Sequence, residues 1–320
     1  MKLIKPKAEL LIQGSGLDGI YKQIEKCGRT CYRSEDKITE DSAKPFVDRM
    51  INSNHLAMLE HGTVYLYYKS IGREALPFFN SPYAKVVTEL CREVGTNGES
   101  VYEIFVTTNL RYIVENSLQR HLQYICEPTE YHEKRYTFRC ITSIGVTREM
   151  NRHRVNSLAE QSTRYCNYSK DKFGGEITFC IPSWLNIPEG KAYWADGLNY
   201  RIQPNDLSKE SYSVRPNDYF TLEEAKICDL WLDSLAVSEN NYMELLKQGW
   251  QPQQAREVLP LCTATEIVHT AFASDWKHFF DLRYFGTTGK PHPNMLQLAT
   301  LMKEEAEKHG IWNEISNPKN

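Results

Sequence analysis

The sequence has no long hydrophobic run and no excess of charge of either sign. No apolar stretch in its 320 residues reaches the length of a membrane-spanning helix. The first residues, Met1 to Pro6, lack the apolar core of a signal peptide. With a formal net charge of −3, the chain has no overall attraction for nucleic acid. These absences predict a cytoplasmic protein that binds neither membranes nor nucleic acid.

Cysteines and glycines are present without the patterns that mark a disulfide framework, a zinc site or a dinucleotide fold. The nine cysteines are odd in number and irregular in spacing, which predicts reduced thiols. Cys27 and Cys31 are four residues apart, but no second pair completes a zinc site, so no metal is predicted. No glycine-rich dinucleotide fingerprint occurs. The length and the 41% apolar content predict one main globular domain with elaborations.

One stretch, residues 152–165, is too polar for a core element. It contains three arginines, a histidine, a carboxylate, two serines and a tyrosine. Arginine binds phosphate in a planar, bidentate way, so this cluster predicts a site for a multiply anionic ligand. The alternative is a solvated helix end, because cations are also favourable at a helix C-terminus.

The residues around this stretch indicate how its side chains are presented. Ser143 is a candidate N-cap for a helix that runs to Arg154, with Val146 and Met150 as its apolar row. If the chain then continues extended, alternate side chains lie on one face. The residues on that face are Glu160, Ser162 and Arg164.

The C-terminal third is predicted to be mostly helical. Thr221 and Glu224 form a capping box for a long helix that reaches about Lys247. Another helix is predicted from Thr263 to Arg283, with a single apolar stripe at Val268, Phe272, Trp276 and Phe279. Arg283 continues that stripe, so its side chain is expected to point into the molecule or toward a partner subunit.

The remaining elements are predicted from shorter patterns. Residues 70–132 are interpreted as an insertion broken by turns at Gly95 and Gly98, and residues 183–218, with their three prolines, as irregular. Helices are predicted over residues 15–33, 42–53, 110–118, from Pro252 and from Asn294, and strands over residues 63–68, 102–106, 135–140 and 177–181.

Arg152-His153-Arg154, seven further residues and then Ser162 resemble the signature of the flavin-dependent thymidylate synthases. Glu160, Arg164 and Tyr165 match that family's longer pattern. The resemblance implies an α+β fold, with a largely antiparallel sheet flanked by helices as in thymidylate synthase-complementing proteins. It also implies a homotetramer that methylates dUMP to dTMP with FAD as cofactor, methylenetetrahydrofolate as one-carbon donor and NADPH as reductant.

The resemblance also assigns roles to individual residues. The residues that would bind FAD are His55, Glu60, Arg152, His153, Arg154, Glu160, His278 and His292. The residues that would bind dUMP are Glu149, Glu160, Ser162, Arg164, Arg256 and Arg283, and Arg283 would also be catalytic by polarising the pyrimidine.

Three positions depart from the family pattern. Ala57 replaces a hydroxyl residue that would contact a cofactor phosphate. Phe272-Ala273-Ser274 replaces an Asn-x-Arg flavin contact, and Glu149 replaces a glutamine beside the substrate phosphate. A glutamate there repels a dianion unless an arginine such as Arg148 or Arg256 offsets its charge.

Other chemistries remain open on the residues alone. A cysteine could activate the pyrimidine by covalent addition, and Cys166 is the one whose position beside the signature could lower its pKa. Ser162 could be a nucleophile, but no positioned base is evident, so it is interpreted as a hydrogen-bond donor. The alternatives in function are a related one-carbon transfer giving a modified pyrimidine nucleotide, and a nucleotide-binding protein without turnover.

Overall fold

The structure is a computed structural model that describes residues 1–71, 77–94, 99–195, 199–214 and 221–318. Strands in these ranges form three mostly antiparallel sheets, with helices packed against them, which confirms the predicted α+β class. The strands are β1 (Lys2–Ile4), β2 (Lys7–Leu11), β3 (Thr63–Ile71), β4 (Lys85–Val94), β5 (Glu99–Asn109), β6 (Arg135–Ser143), β7 (Ser157–Glu160), β8 (Thr178–Cys180), β9 (Gly190–Ala195), β10 (Asn199–Pro204), β11 (Tyr212–Ser213) and β12 (Ala264–Phe272). The α-helices are α1 (Gly16–Thr30), α2 (Ala43–Asn52), α3 (Leu110–Glu115), α4 (Ile144–Met150), α5 (Leu222–Lys247), α6 (Pro252–Ala255), α7 (Ala273–Arg283), α8 (Pro293–Lys308) and α9 (Trp312–Ser316).

The four-stranded sheet positions the polar stretch found in the sequence. Its order is β2-β6-β12-β7, and every neighbouring pair is antiparallel. β12 lies in the interior of the sheet and pairs with β6 along its whole length, and with β7 from Ile267 opposite Glu160 to Thr270 opposite Ser157. The sheet therefore holds residues 157–160 of the signature beside β12, a strand from the C-terminal part of the chain.

The prediction of one helix from Thr263 to Arg283 is wrong in its first half. Residues 264–272 form β12, and the helix begins only at Ala273. Nearly every residue of β12 is buried, so the strand shows none of the alternation that marks a half-buried strand. The β-branched residues Thr265, Ile267, Val268 and Thr270 favour the strand. The second half of the prediction is confirmed, because α7 ends at Arg283.

The predicted insertion contributes two strands of the three-stranded sheet. Its order is β3-β5-β4, so β5 is central and pairs with β3 along nine residues. Leu66 and Ile104 of this sheet lie in one core with Ile24 of α1 and Phe46 of α2. The segment thus packs against the N-terminal helices, although its status as an insertion into a single domain stays a prediction. Gly95 and Gly98 lie outside the described residues.

The described part of residues 183–218 is not irregular, so this prediction is wrong there. They contain β9, β10 and β11, which form an antiparallel meander at the edge of the five-stranded sheet of order β11-β10-β9-β1-β8. Pro204 closes β10 at the register position opposite Gly190, so one of the three prolines ends a strand. Pro216 lies outside the described residues. The buried face of α5 packs against this sheet through Cys228, Leu232 and other apolar residues.

The two predicted helix caps are confirmed. The side chain of Ser143 accepts a hydrogen bond from the backbone of Val146, and Thr221 and Glu224 form the capping box of α5. The helix after Ser143, however, ends at Met150 instead of Arg154. Arg152 and His153 therefore lie in the turn beyond the helix. In the described ranges, no helix is both long and apolar enough to span a membrane.

Candidate active site

Arg283 lies where α7 meets the end of α4. Its Nη1 donates to the carboxylate of Glu149 at 2.7 Å, and its Nη2 donates to the Glu149 carbonyl oxygen at 3.1 Å. Its Nε donates to Nε2 of His153 at 3.3 Å. The guanidinium side chain is only 19% exposed. Three predicted site residues from two distant parts of the chain thus meet at one point.

His153 in this cluster is held in the neutral form. Burial, together with the neighbouring Arg283 and His278, lowers the pKa of His153 to about 4. A neutral ring can accept the hydrogen bond from Arg283, whereas a protonated ring would donate at both nitrogens. The ring lies 5.1 Å from that of Phe279 and 5.8 Å from that of His278, measured between centroids. Packing and hydrogen bonding therefore fix its orientation.

Glu160 is the last residue of β7 and faces α4. Its carboxylate accepts a hydrogen bond from the hydroxyl of Thr147 at 2.8 Å. Burial raises the pKa of Glu160 above its usual value, although hydrogen bonds and the charge of Arg148 oppose that shift. The carboxylate of Glu160 is thus fixed next to α4, the helix that carries Glu149.

The prediction of an extended chain from Glu160 to Arg164 is wrong beyond the end of β7. The backbone turns at residues 163–165, and the amide of Cys166 donates to the carbonyl oxygen of Ser162 at 3.0 Å. The amide of Ser162 donates to the carbonyl oxygen of Cys31, so the chain leaves the sheet to reach the end of α1. Glu160, Ser162 and Arg164 therefore do not form the predicted row.

The turn instead brings Arg164 toward α6 and the short 3-10 helix that follows it. Nε of Arg164 donates to the side-chain oxygen of Gln253 at 3.0 Å, and Nη1 of Arg256 donates to the hydroxyl of Thr163 at 3.2 Å. Arg256 also lies 3.7 Å from Glu257, an exposed carboxylate that water screens. These two arginines are held mainly by neutral groups, which leaves their charge available to an anion.

His55 and Glu60 lie beside a cleft with a volume of about 890 Å³. His55 lines it directly, at the start of the 3-10 helix Leu56–His61. Glu60, in the same 3-10 helix, accepts a hydrogen bond from Arg111, which lines the cleft as well. Tyr32, also on the cleft, packs 5.4 Å from the ring of Tyr165, which connects the cleft to the signature turn.

The other predicted flavin residues are on the surface. Arg152, Arg154, His278 and His292 are all exposed. In the described part of the chain, neither Arg152 nor Arg154 has a side-chain hydrogen bond or ion pair. His292 caps α8, its Nδ1 accepting from the backbone of Asn294, and its ring lies 6.0 Å from that of Trp184. These side chains are accessible but are not gathered into one pocket.

Phe272 and Ser274, which replace the family's Asn-x-Arg flavin contact, both contact other residues of the protein. Phe272 is 2% exposed, and the guanidinium of Arg135 lies 5.3 Å from the centre of its ring. The backbone amide and the hydroxyl of Ser274 both donate to Glu133. Neither side chain is free to replace the contacts expected of an Asn-x-Arg pair.

Cys166 does not have the lowered pKa that its position suggested. Its side chain is 1% exposed, and burial raises the pKa of the thiol despite the nearby positive charge of Arg33. A buried thiol with a raised pKa is a poor nucleophile. Among the described residues, no group of three or more His, Cys, Asp or Glu side chains is placed to hold a metal ion.

Sequence reasoning missed the buried polar groups behind the signature. The side chain of Asn156 lies 2.7 Å from Nε2 of His269, which is fully buried in β12. The backbone amide of Asn156 donates to the carbonyl oxygen of His153, so the Asn156–His269 pair supports the turn that carries His153. Nδ1 of His61, equally buried, lies 2.8 Å from the hydroxyl of Thr270. The one feature of the sequence that could have indicated these buried groups was a histidine within an apolar run, such as His269 in β12.

Comparison with protein families gives one match over residues 102–309, to the model described as Thymidylate synthase complementing protein. The chain belongs to this family. The resemblance inferred from residues 152–165 is therefore confirmed, because relatives of the chain carry the name flavin-dependent thymidylate synthase.

Two of these thymidylate synthase relatives illustrate the degree of similarity. The flavin-dependent thymidylate synthase of Thermosipho melanesiensis is 29% identical over 148 residues, which cover 46% of this chain and 53% of that protein. The one of Pyrococcus furiosus is 23% identical over 181 residues, which cover 55% of this chain and 59% of that protein. The chain spans about half the length of the curated relatives it matches.

A solved structure of similar length was also found. It is the UMP/dUMP methylase PolB from Streptomyces cacaoi bound with 5-Br dUMP, with 16% sequence identity and a TM-score of 0.43. The alignment covers 98% of this family member and 96% of PolB.

Proposed function

We propose that the protein is a flavin-dependent thymidylate synthase that methylates dUMP to dTMP. In this proposal, methylenetetrahydrofolate donates the one-carbon unit and NADPH is the reductant. Membership of the family supports the class of reaction. The observation that carries the proposal is the contact of Arg283 with His153 and Glu149, which joins the end of α7 to the signature across 130 residues of sequence.

Arg283 is the proposed catalytic residue because it combines a fixed position with unused donors. Three of its five N–H groups bind Glu149 and His153, which leaves two for a substrate oxygen. Donors that are already oriented stabilise charge on a pyrimidine oxygen without reorganisation during the reaction. The neutral His153 adds no repulsion and restrains the guanidinium. Arg283 would thus both hold and polarise the uracil ring.

Arg164 and Arg256 are the proposed ligands of the 5′-phosphate of dUMP. Both are held by neutral oxygens, so phosphate would not have to displace a buried carboxylate. Ser162, in the same turn, would add a hydroxyl donor. Glu149 would not repel the phosphate as the sequence suggested, because Arg283 offsets its charge. Glu160, held by Thr147, is proposed as a hydrogen-bond acceptor for substrate or cofactor.

The cleft beside His55 is the proposed site of FAD. Apolar side chains such as Phe46 and Met58 line it together with the cations Lys37 and Arg49, a combination that suits a flat ring joined to phosphates. A reduced flavin would supply the electrons for the reaction. His55 would contact the cofactor from the cleft and His153 from the signature, while Glu60 lies beside the cleft and accepts a hydrogen bond from Arg111. Ala57 and Ser274 do not fit the family pattern of phosphate and flavin contacts.

The exposed residues of the site fit an assembly of several subunits. We propose a cytoplasmic homotetramer with shared active sites, in which Arg152, Arg154, His278 and His292 complete a cofactor site with residues of a partner subunit. The exposure of these side chains supports the proposal, since each is accessible on the surface of the single chain.

Product analysis tests the reaction. The purified protein is incubated with dUMP, methylenetetrahydrofolate, NADPH and FAD. The nucleotides are then separated and identified by mass spectrometry. dTMP that depends on all four components supports the proposal. Arg283→Ala is the site variant, and Lys290→Ala, in the exposed loop after α7, is its control.

Two alternatives have a specific basis in the altered flavin positions, where Ser274 is bound to Glu133 and Ala57 has no hydroxyl. A nucleotide with a modified one-carbon group at C5 would favour the related transfer reaction. Binding of dUMP with no product under any reductant would favour a nucleotide-binding protein without turnover.

A further inference from the structure

The predicted insertion reaches the proposed cofactor cleft through α3. The cleft lies among the C-terminal end of α1, α2 and the 3-10 helix Leu56–His61, and α3 contributes Arg111 and Glu115 to its wall. α3 follows directly after β5, the central strand of the three-stranded sheet. The segment around residues 70–132 therefore contributes Arg111 and Glu115 to the wall of this cleft.

Arg111 is oriented by two carboxylates and retains unused donors. Its Nη1 donates to Oε1 of Glu60 at 2.6 Å, and its Nε donates to Oε1 of Glu115 at 2.8 Å. A guanidinium has five N–H donors, and these two contacts leave three. The Arg111 side chain is 37% exposed and that of Glu60 is 18% exposed. Arg111 is thus held in place at the cleft with hydrogen-bonding capacity to spare.

The other charges around the cleft favour an anionic ligand. Lys37 and Arg49 line it, and within the described ranges neither has a carboxylate partner. The guanidinium of Arg49 lies 5.3 Å from the centre of the Phe46 ring, and that of Arg29 lies 5.1 Å from it. Glu25 offsets the charge of Arg29, so the cleft combines a buried aromatic side chain with the cations Lys37 and Arg49, which suits a ligand with a flat apolar part and a phosphate.

Ala57 explains why an additional cation would be needed. This residue lines the same cleft but has no hydroxyl to donate to a phosphate. Arg111 can supply charge-assisted donors to the same cleft, and these are stronger than a hydroxyl donor.

We propose that Arg111 binds a phosphate of the nucleotide ligand in this cleft, and that Glu60 positions Arg111 for that task. The proposal rests on the proposed function in taking FAD as the ligand. It differs from the direct contact with the cofactor that the resemblance implies for Glu60, and it gives a role in the site to the segment around residues 70–132, to which the sequence assigned none.

The test compares ligands with and without phosphate in a matched pair of variants. Arg111→Gln removes a charge at the cleft, whereas Arg120→Gln makes the same change at an exposed arginine outside the cleft lining. FAD and riboflavin are titrated into the full-length protein, and binding is followed by the visible absorption of the flavin. We expect Arg111→Gln to weaken FAD binding by about 10- to 100-fold, the loss of one or two charge-assisted hydrogen bonds.

The controls separate phosphate binding from a structural role. Riboflavin binding should be unchanged in Arg111→Gln, and FAD binding should be within about twofold of wild type in Arg120→Gln, because Arg120 does not line the cleft. Arg111→Lys should restore part of the FAD affinity because it restores the charge. Equal loss of FAD and riboflavin binding, or no loss in Arg111→Gln, would overturn the proposal.

A second ligand separates this inference from the proposed function. If wild type binds no FAD, the flavin-dependent function fails, and ADP binding by calorimetry then decides the role of Arg111. Binding of ADP that is lost in Arg111→Gln would uphold Arg111 as a phosphate ligand. Equal ADP binding by both proteins, or binding by neither, would refute it.

Discussion

Two arginine clusters of the candidate active site differ in what surrounds them. Arg283 is 19% exposed and contacts a carboxylate, a carbonyl oxygen and a neutral imidazole. Arg164 and Arg256 lie on the surface, held mainly by an amide and a hydroxyl. A charge that is restrained and partly neutralised is suited to orient a ring, whereas a charge with neutral neighbours is suited to bind a phosphate. The same residue type therefore supports two different tasks.

The largest expected effect is at Arg283. Arg283→Ala should lower kcat by about 100- to 1,000-fold, as loss of an oriented donor does in other enzymes. Arg283→Lys should recover little, because a single ammonium cannot make the three contacts of the guanidinium. Steady-state rates of dTMP formation measure both. A kcat near wild type in Arg283→Ala would place catalysis elsewhere.

Arg256 should show the opposite kinetic pattern. Arg256→Ala should raise KM for dUMP by about 10- to 100-fold, the value of a charge-assisted hydrogen bond to phosphate, with kcat little changed. Glu257→Ala is the matched control, since it alters the neighbouring exposed carboxylate only. The distinction between the clusters would be lost if Arg256→Ala lowered kcat and left KM unchanged.

The Arg283 cluster contains the buried His153, which the Arg164–Arg256 cluster lacks. Because of this ring, the free energy of unfolding should depend on pH. The unfolded ring takes up a proton near pH 6.5, but the folded ring does so only near its pKa of about 4. The free energy of unfolding should therefore fall as the pH decreases below about 6.5. His153→Gln should reduce that fall by about 2 kcal/mol between pH 7.5 and pH 5.

Urea unfolding at the two pH values measures this difference. His61 and His269 also have pKa values lowered chiefly by burial, and both residues are present in the two proteins that are compared. An unchanged dependence on pH in His153→Gln would mean that this ring is not held neutral.

A further effect on stability concerns the support behind the Arg283 cluster. Asn156→Ala removes the partner of the buried His269 and should cost about 1–3 kcal/mol of stability. Thermal unfolding measures the loss, and Asn205→Ala, at an exposed position in a turn, is the control. Equal melting temperatures for the two variants would show that the Asn156–His269 contact does not stabilise the fold.

Local signals in the sequence were enough to predict many elements. Ser143 and the Thr221–Glu224 box mark helix starts through hydrogen bonds made within one turn, so the sequence contains the whole interaction. The polar stretch at residues 152–165 likewise identified the family.

Features that depend on distant contacts could not be predicted in the same way. β12 is buried on both faces, and its apolar residues therefore resembled a helix stripe that continued into α7. The contact of Arg111 with Glu60 and that of Asn156 with His269 join residues 51 and 113 positions apart. The turn after Glu160 depends on a backbone contact with Cys31, which no local pattern signals.

The most direct test of the central claim is the visible absorption spectrum of the purified protein, recorded with FAD before and after addition of dUMP. The account predicts flavin bands that remain with the protein after removal of free FAD and that shift when dUMP binds beside Arg283. A folded protein that retains no flavin and shows no shift with dUMP would contradict a flavin-dependent synthase with its site at the signature.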